Sequence, residues 1–159
     1  MTDLLRPPVR RSTVTAMGDP VRVTVSFEWA EVGRIGLDAE GKLAFPSLPR
    51  EPGAYKLMIS EADGTTATYI GETDELRRRF AHYRNPGPTQ PTNRRINALL
   101  KELLADGGRA SMAIATSAAV EIDGVPSALD LTRKACRLLA ESAALVKATL
   151  EGVDRIENL

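Results

Sequence analysis

The sequence predicts an α+β fold: a small antiparallel sheet flanked by helices, in the order β-β-α-α-β-α, behind an N-terminal β-hairpin preface. Alternating apolar and polar residues mark short strands in several places. Apolar residues at helical spacing mark a helix in the middle of the chain and a longer one near its end. The composition, 43% apolar and 26% charged over 159 residues, is that of an ordinary globular domain.

The first fifty residues are predicted to precede the main domain. Residues 1–19 contain prolines and no periodicity and are expected to be a loose lead-in. Residues 20–50 are expected to be a β preface, because 21–27 alternate between apolar and polar residues. The segments 34–37 and 42–45 follow, joined by a link that ends in glycine, which suits a hairpin.

Residues 51–159 are predicted to be the working domain. Strands over 55–60 and 65–70 form an antiparallel hairpin, and Thr73 or Asp74 caps a helix of about ten residues. A proline-rich loop ends this helix, and Thr92 caps the next one.

The second half of this domain has fewer clear boundaries. Met112 and Ile114 alternate with small residues in a third strand, and Val120 and Ile122 suit a short one. A long amphipathic helix is expected over 131–149.

Composition excludes several classes of protein. The single cysteine, Cys136, cannot form an internal disulfide or supply a cysteine-rich zinc site. No apolar run approaches the roughly 18 residues needed to span a bilayer. The first residues lack the apolar core of a signal peptide, so a cytoplasmic location without membrane contact is expected.

The charges are unevenly distributed although the net charge is zero. The stretch from Leu76 to Lys101 has seven basic residues and no acidic one. Taking these seven from the 21 basic residues leaves 14 against 21 acidic ones elsewhere, a net charge of −7. One face is therefore expected to attract a polyanion. The seven are Arg77, Arg78, Arg79, Arg84, Arg94, Arg95 and Lys101.

Three features of this region coincide: Gly53-Ala54-Tyr55 opens one strand of the hairpin, Tyr69-Ile70-Gly71 closes the other, and Arg79 follows eight positions after the second glycine. Together they resemble the GIY-YIG nuclease family, in which the middle residue of the first tripeptide varies most freely. Tyr83 follows where family members often carry tyrosine or histidine, so the three tyrosines of the chain all occupy motif positions. The resemblance covers residues 51–159.

The resemblance implies the chemistry of the site. Tyr55 helps activate the attacking water, while Tyr69 supports the reacting phosphate and Arg79 stabilises its charge. The neighbouring Tyr83 and His82 are candidate catalytic residues, since histidine can assist proton transfer near neutral pH. For His82, a solvent-facing residue on a basic helix is an equal alternative. Gly53, Gly71 and the late asparagine Asn158 are expected to support the site.

A metal-binding carboxylate is also implied, and Glu141 matches it best. Its spacing from Leu138 and Leu145 directs Glu141 along the apolar stripe, where a divalent cation would compensate its charge. The expected cofactor is Mg²⁺ or Mn²⁺. The alternative is a helix-edge glutamate that pairs with Arg137 or Lys134.

The resulting interpretation is a metal-dependent endonuclease acting on nucleic acid, most readily DNA, in restriction, other defence or repair. The remaining basic residues named above are expected to contact the phosphate backbone. Whether a homodimer or a protein partner is needed stays open. The competing interpretation is a catalytically silent module of the same fold that binds nucleic acid or a partner, and hydrolysis of a small phosphodiester is a third.

Overall fold

The computed structural model describes residue 15 and residues 17–152. This part of the chain contains eight strands and three helices. The strands are β1 (Val23–Ser26), β2 (Ala30–Leu37), β3 (Leu43–Ala44), β4 (Gly53–Ser60), β5 (Thr66–Thr73), β6 (Arg109–Ala115), β7 (Ala119–Ile122) and β8 (Val125–Ala128). The helices are α1 (Leu76–Arg84), α2 (Pro91–Ala105) and α3 (Lys134–Leu150). The predicted α+β class is confirmed.

Two antiparallel sheets organise the strands. The larger sheet has five strands in the order β3-β2-β6-β4-β5, and the smaller one has three in the order β1-β7-β8. The predicted hairpin is β4 and β5, which pair from Gly53 with Thr73 to Ser60 with Thr66. β5 forms one edge of the larger sheet and leads directly into α1.

Helices cover both faces of the larger sheet, because successive residues of its strands point into two different apolar cores. Tyr69 of β5 packs into the core that α1 and α2 cover, whereas the next residue, Ile70, packs against Ala144 and Ala148 of α3. The smaller sheet packs against α3 through a third cluster around Val120. No helix in the described part of the chain has the length and hydropathy needed to cross a bilayer.

The helix starts differ from the predicted ones by one to three residues. α1 begins after Glu75 rather than directly after Thr73 or Asp74, since β5 continues to Thr73. The Thr73 hydroxyl instead accepts a hydrogen bond from the Glu75 backbone N–H at 3.2 Å. α2 begins at Pro91, because proline suits the first helical position, where its missing N–H would have no partner.

The segment predicted as a β preface supplies part of the main sheet. β2 pairs with β6 over Ala30–Ile35, and β3 pairs with the end of β2. Strands from before and after residue 51 therefore belong to the same sheet. β2 is also longer than the predicted strand over 34–37. The sequence pattern hides its first half, because an irregularity between Glu31 and Gly33 interrupts the alternation of side chains. β8 was not predicted, because it carries Pro126, which an edge strand tolerates.

Candidate active site

A buried cluster of aromatic rings joins the two motif strands to α1. Tyr55 pairs with Gly71 across the hairpin and Tyr69 pairs with Leu57, so both tyrosines lie diagonally on the α1 side of the sheet. Their ring centroids are 6.2 Å apart with an interplanar angle of 29°. The hydroxyls of Tyr55 and Tyr83 are 2.6 Å apart and form a buried hydrogen bond.

The two motif glycines make this arrangement possible. A Cβ on Gly71 would lie 2.4 Å from the Tyr55 hydroxyl, so the ring crosses the strand where its partner has no side chain. A Cβ on Gly53 would lie 2.4 Å from the carbonyl oxygen of Ala115 on the neighbouring strand. Both glycines are therefore required by close approach and not by an unusual φ.

Burial keeps Tyr55 and Tyr83 protonated. Burial, then the neighbouring tyrosines, raise the pKa of Tyr55 well above its ordinary value of 10.0, and the Arg79 charge lowers it only in part. The pKa of Tyr83 is raised as well, mainly by burial and by Tyr69, and Arg79 again acts in the opposite direction. Tyr55 and Tyr83 are therefore neutral at physiological pH, with Arg79 as a nearby cation.

Arg79 also connects the cluster to α3. It is half-buried on α1, and its charge acts on Glu141 as well as on Tyr55 and Tyr83. Burial and the charge of Glu72 raise the pKa of Glu141 above its ordinary value of 4.5, while the Glu72 backbone and Arg79 lower it. The charge of Arg79 therefore links Tyr55 and Tyr83 on the α1 side of the sheet with Glu141 on α3.

A buried ion pair holds α3 against β5 at this point. Arg137 is 7% exposed, and its Nε donates to the Glu72 carboxylate at 2.5 Å. Its Nη1 donates to the carbonyl oxygens of Leu131 at 3.0 Å and Thr132 at 2.9 Å. Arg137 therefore pairs with Glu72 and not with Glu141, which was the alternative for that glutamate.

Sequence reasoning missed the site role of this pair. Glu72 directly follows the second tripeptide, and Arg137 stands one helical turn before Glu141. Their positions next to motif residues are the signal in the sequence that could have pointed to them. However, the two residues lie 65 positions apart in the chain, and only the fold brings them together.

The donor set fits a hard cation such as Mg²⁺. Glu141, with Glu72 beside it, offers carboxylate oxygens, and Mg²⁺ is commonly held by one or two carboxylates plus water and phosphate oxygens. Burial, and then the proximity of Glu72, raise the pKa of Glu141, and a bound cation would relieve the repulsion between the two carboxylates. Among the described residues no group of three or more His, Cys, Asp or Glu forms a fuller metal cage.

Several of the predicted phosphate-contacting residues already have hydrogen-bond or ion-pair partners within the protein. Arg78 forms an ion pair with Asp74 at 2.6 Å, and Arg84 forms one with Asp38 at 2.5 Å. The Nε of Arg77 donates to the Leu48 carbonyl at 2.9 Å.

The basic residues of α2 also differ from one another. Arg94 and Lys101 are exposed, whereas Arg95 Nη2 is buried and has no hydrogen-bond partner within the described part of the chain. Since two of the seven basic residues, Arg78 and Arg84, are already neutralised, the face attracts a polyanion less strongly than the sequence count indicates.

Two further predicted residues gain no support from the geometry. His82 is half-buried and, across residues 17–152, forms no hydrogen bond to the tyrosine cluster. Asn158 lies outside the described residues.

Comparison with known proteins places the fold but not a family. Neither protein-family models nor curated protein sequences gave a match. Among solved structures, a glutamate-to-alanine mutant of bacteriophage T4 EndoII is similar, with a TM-score of 0.52 and 18% sequence identity. The match covers 82% of this chain and 92% of that chain. At this identity the similarity shows a shared fold.

Proposed function

We propose that this protein is an endonuclease that hydrolyses phosphodiester bonds in DNA with the help of Mg²⁺ or Mn²⁺. The position of Arg79, whose charge acts both on the hydrogen-bonded Tyr55 and Tyr83 and on Glu141, carries the proposal. The fold shared with EndoII, an endonuclease by its name, supports it. A role in restriction, other defence or repair is proposed by analogy alone.

Arg79 is the residue that the scissile phosphate would meet first. It is half-buried, whereas Tyr55, Tyr69 and Tyr83 are 7% exposed or less. Its guanidinium can donate two hydrogen bonds to phosphate oxygens as negative charge develops on them. Tyr69, stacked beside Tyr55, supports the phosphate from the floor of the site.

Tyr55 is proposed to orient the attacking water and to take part in removing its proton. As a neutral phenol it can hydrogen bond to water, but it accepts a proton only as a phenolate. Its raised pKa opposes that form, and the Arg79 charge favours it. Tyr83 is positioned to share a proton with Tyr55 across their 2.6 Å hydrogen bond.

Glu141, assisted by Glu72, is proposed to hold the divalent cation. Such a cation supplies Lewis acidity and lowers the pKa of a bound water. Arg137 has no direct part in the chemistry. It keeps Glu72 in place by a buried ion pair and so fixes the side of the site that faces α3.

Binding to the phosphate backbone is proposed for the exposed Arg94 and Lys101, and for Arg77, which is exposed although its Nε donates to the Leu48 carbonyl. Arg78 could join them only by exchanging its acidic partners for phosphate.

The competing function is a silent nucleic-acid- or partner-binding module. The full burial of the tyrosines and the raised pKa of Tyr55 favour it, because packed neutral phenols need no catalytic role. The half-buried carboxylate of Glu141 counts against it, since a negative charge at the site weakens binding to a polyanion.

Cleavage of supercoiled plasmid and labelled single strands, with Mg²⁺ or Mn²⁺ and with EDTA, tests the proposal. Glu141→Ala and Tyr55→Phe are expected to abolish cleavage. Glu102→Ala, which removes an exposed glutamate on α2, is expected to leave it unchanged. DNA that is bound in a salt-dependent manner but stays intact under every metal condition would instead establish the silent module.

A further inference from the structure

The outer face of α3 carries no charged side chain and is mostly apolar. Four large aliphatic side chains on it are exposed: Leu138 by 41%, Leu139 by 38%, Val146 by 58% and Leu150 by 81%. With their neighbours at helical spacing they cover an arc of about 140° at 100° per residue. The outer face consists of Ala135, Leu138, Leu139, Ser142, Leu145, Val146, Thr149 and Leu150.

The distribution of side chains on α3 differs from that on an ordinary surface helix. An amphipathic helix normally buries its large apolar side chains and exposes its charges. α3 buries the small residues Ala140, Ala144 and Ala148 against the sheets, together with Arg137, and of its leucines only Leu145 packs partly against this core. Burial against this chain's own sheets therefore does not account for the four exposed large side chains.

We propose that the outer face of α3 binds the same face of a second copy of this chain, with the two helices antiparallel. All four charged residues of α3 lie outside the face, so two copies meet without burying an unpaired charge. The pattern is also symmetric about the small residue Ser142, since Leu138 and Val146 lie four positions either side of it. A twofold axis at Ser142 then places Leu138 of each copy on Val146 of the other.

The area is sufficient for such a contact. With the exposed fractions given above, the four large side chains leave roughly 400 Å² accessible per copy, and the smaller residues of the face raise the total for two copies to about 1,000 Å², the lower limit for a specific interface. The dimer is therefore expected to be reversible, with a mass that depends on protein concentration. Where the proposed nuclease function holds, pairing supplies a second site for the opposite strand, but the dimer itself does not depend on that function.

Sedimentation equilibrium of the full chain, from low micromolar to several hundred micromolar, tests the interface without reference to catalysis. The wild type is expected to approach twice its mass of 17.2 kDa, and Leu138→Lys and Val146→Glu are each expected to remain monomeric. Leu37→Lys is the matched control, because Leu37 on β2 is also 41% exposed and should leave the dimer intact. Circular dichroism verifies that each variant is folded.

Mixing the two charged variants tests the antiparallel arrangement. In a mixed dimer the new lysine of one copy faces the new glutamate of the other, while the second Leu138–Val146 contact stays apolar. The mixture is therefore expected to recover the doubled mass that neither variant reaches alone. A monomeric wild type at every concentration, or dimers that persist in both single variants, would overturn the proposal, and a mixture that stays monomeric would contradict the antiparallel pairing.

Discussion

Replacing Arg137 by methionine tests whether the buried ion pair holds α3 on the sheet. Methionine keeps most of the aliphatic volume but removes three hydrogen bonds, one to Glu72 and two to backbone carbonyls. The Glu72 side chain is 14% exposed and would keep an uncompensated charge. Breaking a buried pair by removing one partner costs about 3 to 5 kcal/mol. Because a domain of this size is stable by only about 5 to 15 kcal/mol, the loss should be large and readily measured.

Urea unfolding followed by circular dichroism measures the effect as a lower midpoint at an unchanged slope. All variants must be compared at one protein concentration, because self-association would stabilise the folded state. Arg78→Met is the matched control, since it removes an arginine from an ion pair whose partners are 49% and 61% exposed. An exposed pair of this kind contributes about 0 to 1 kcal/mol.

A double-mutant cycle separates the ion pair from the packing of Arg137. Adding Glu72→Gln to Arg137→Met removes the stranded charge, so the double variant should be more stable than the sum of the two single losses predicts, by about 1 to 3 kcal/mol. The reasoning fails if Arg137→Met costs as little as Arg78→Met. It fails also if the two single losses simply add, because the pair would then contribute nothing beyond its separate parts.

Three further perturbations test the site. Gly71→Ala should cost about 2 to 4 kcal/mol in urea unfolding, since its Cβ would displace a buried ring and its hydrogen bond, whereas Gly36→Ala, with open space around its Cβ, should change little. The raised pKa of Glu141 means that its neutral form favours folding below pH 4.5 and that this contribution is lost as pH rises through the raised value. Without divalent cations, Glu141→Gln should therefore melt above the wild type at pH 7 but not at pH 4 in calorimetry, and added Mg²⁺ should stabilise only the wild type. Arg79→Ala should reduce the cleavage rate by at least 100-fold in single-turnover assays, as loss of one transition-state donor does in other enzymes. Arg78→Ala should reduce the rate only a few-fold, through weaker binding. Equal losses in the two variants would mean that the phosphate binds away from Arg79.

Local patterns made the motif hairpin and the helices predictable. The strands at residues 53–60 and 66–73 have clear alternation, and the central helices have apolar residues at helical spacing. The pairing of β2 with β6 was not predictable, because it joins segments about 80 residues apart and the pattern in β2 is interrupted at Gly33. β8 has four exposed residues and so no apolar alternation to detect.

The site shows the same division between local and long-range information. Tyr55, Tyr69 and Arg79 could be proposed from the sequence because they occupy fixed positions around one hairpin and the helix after it. The ion pair between Glu72 and Arg137 depends on where α3 packs against β5, which no local pattern encodes. The same packing decides that Glu141 is close to Glu72 and Arg79.

The tyrosine cluster belongs both to the hydrophobic core and to the proposed catalytic site, so loss of activity alone cannot distinguish the two roles. Tyr55→Phe keeps the ring contacts with Phe80 and Tyr83 and removes only the hydroxyl and its hydrogen bond. That loss costs about 1 to 3 kcal/mol, which leaves a domain of ordinary stability mostly folded. A variant whose urea unfolding shows that it is still mostly folded under assay conditions, yet which cleaves at least 100-fold more slowly, would assign the hydroxyl to catalysis. If cleavage falls only in proportion to the folded fraction, the tyrosines serve the core, and the chemistry must rest on Arg79 and Glu141.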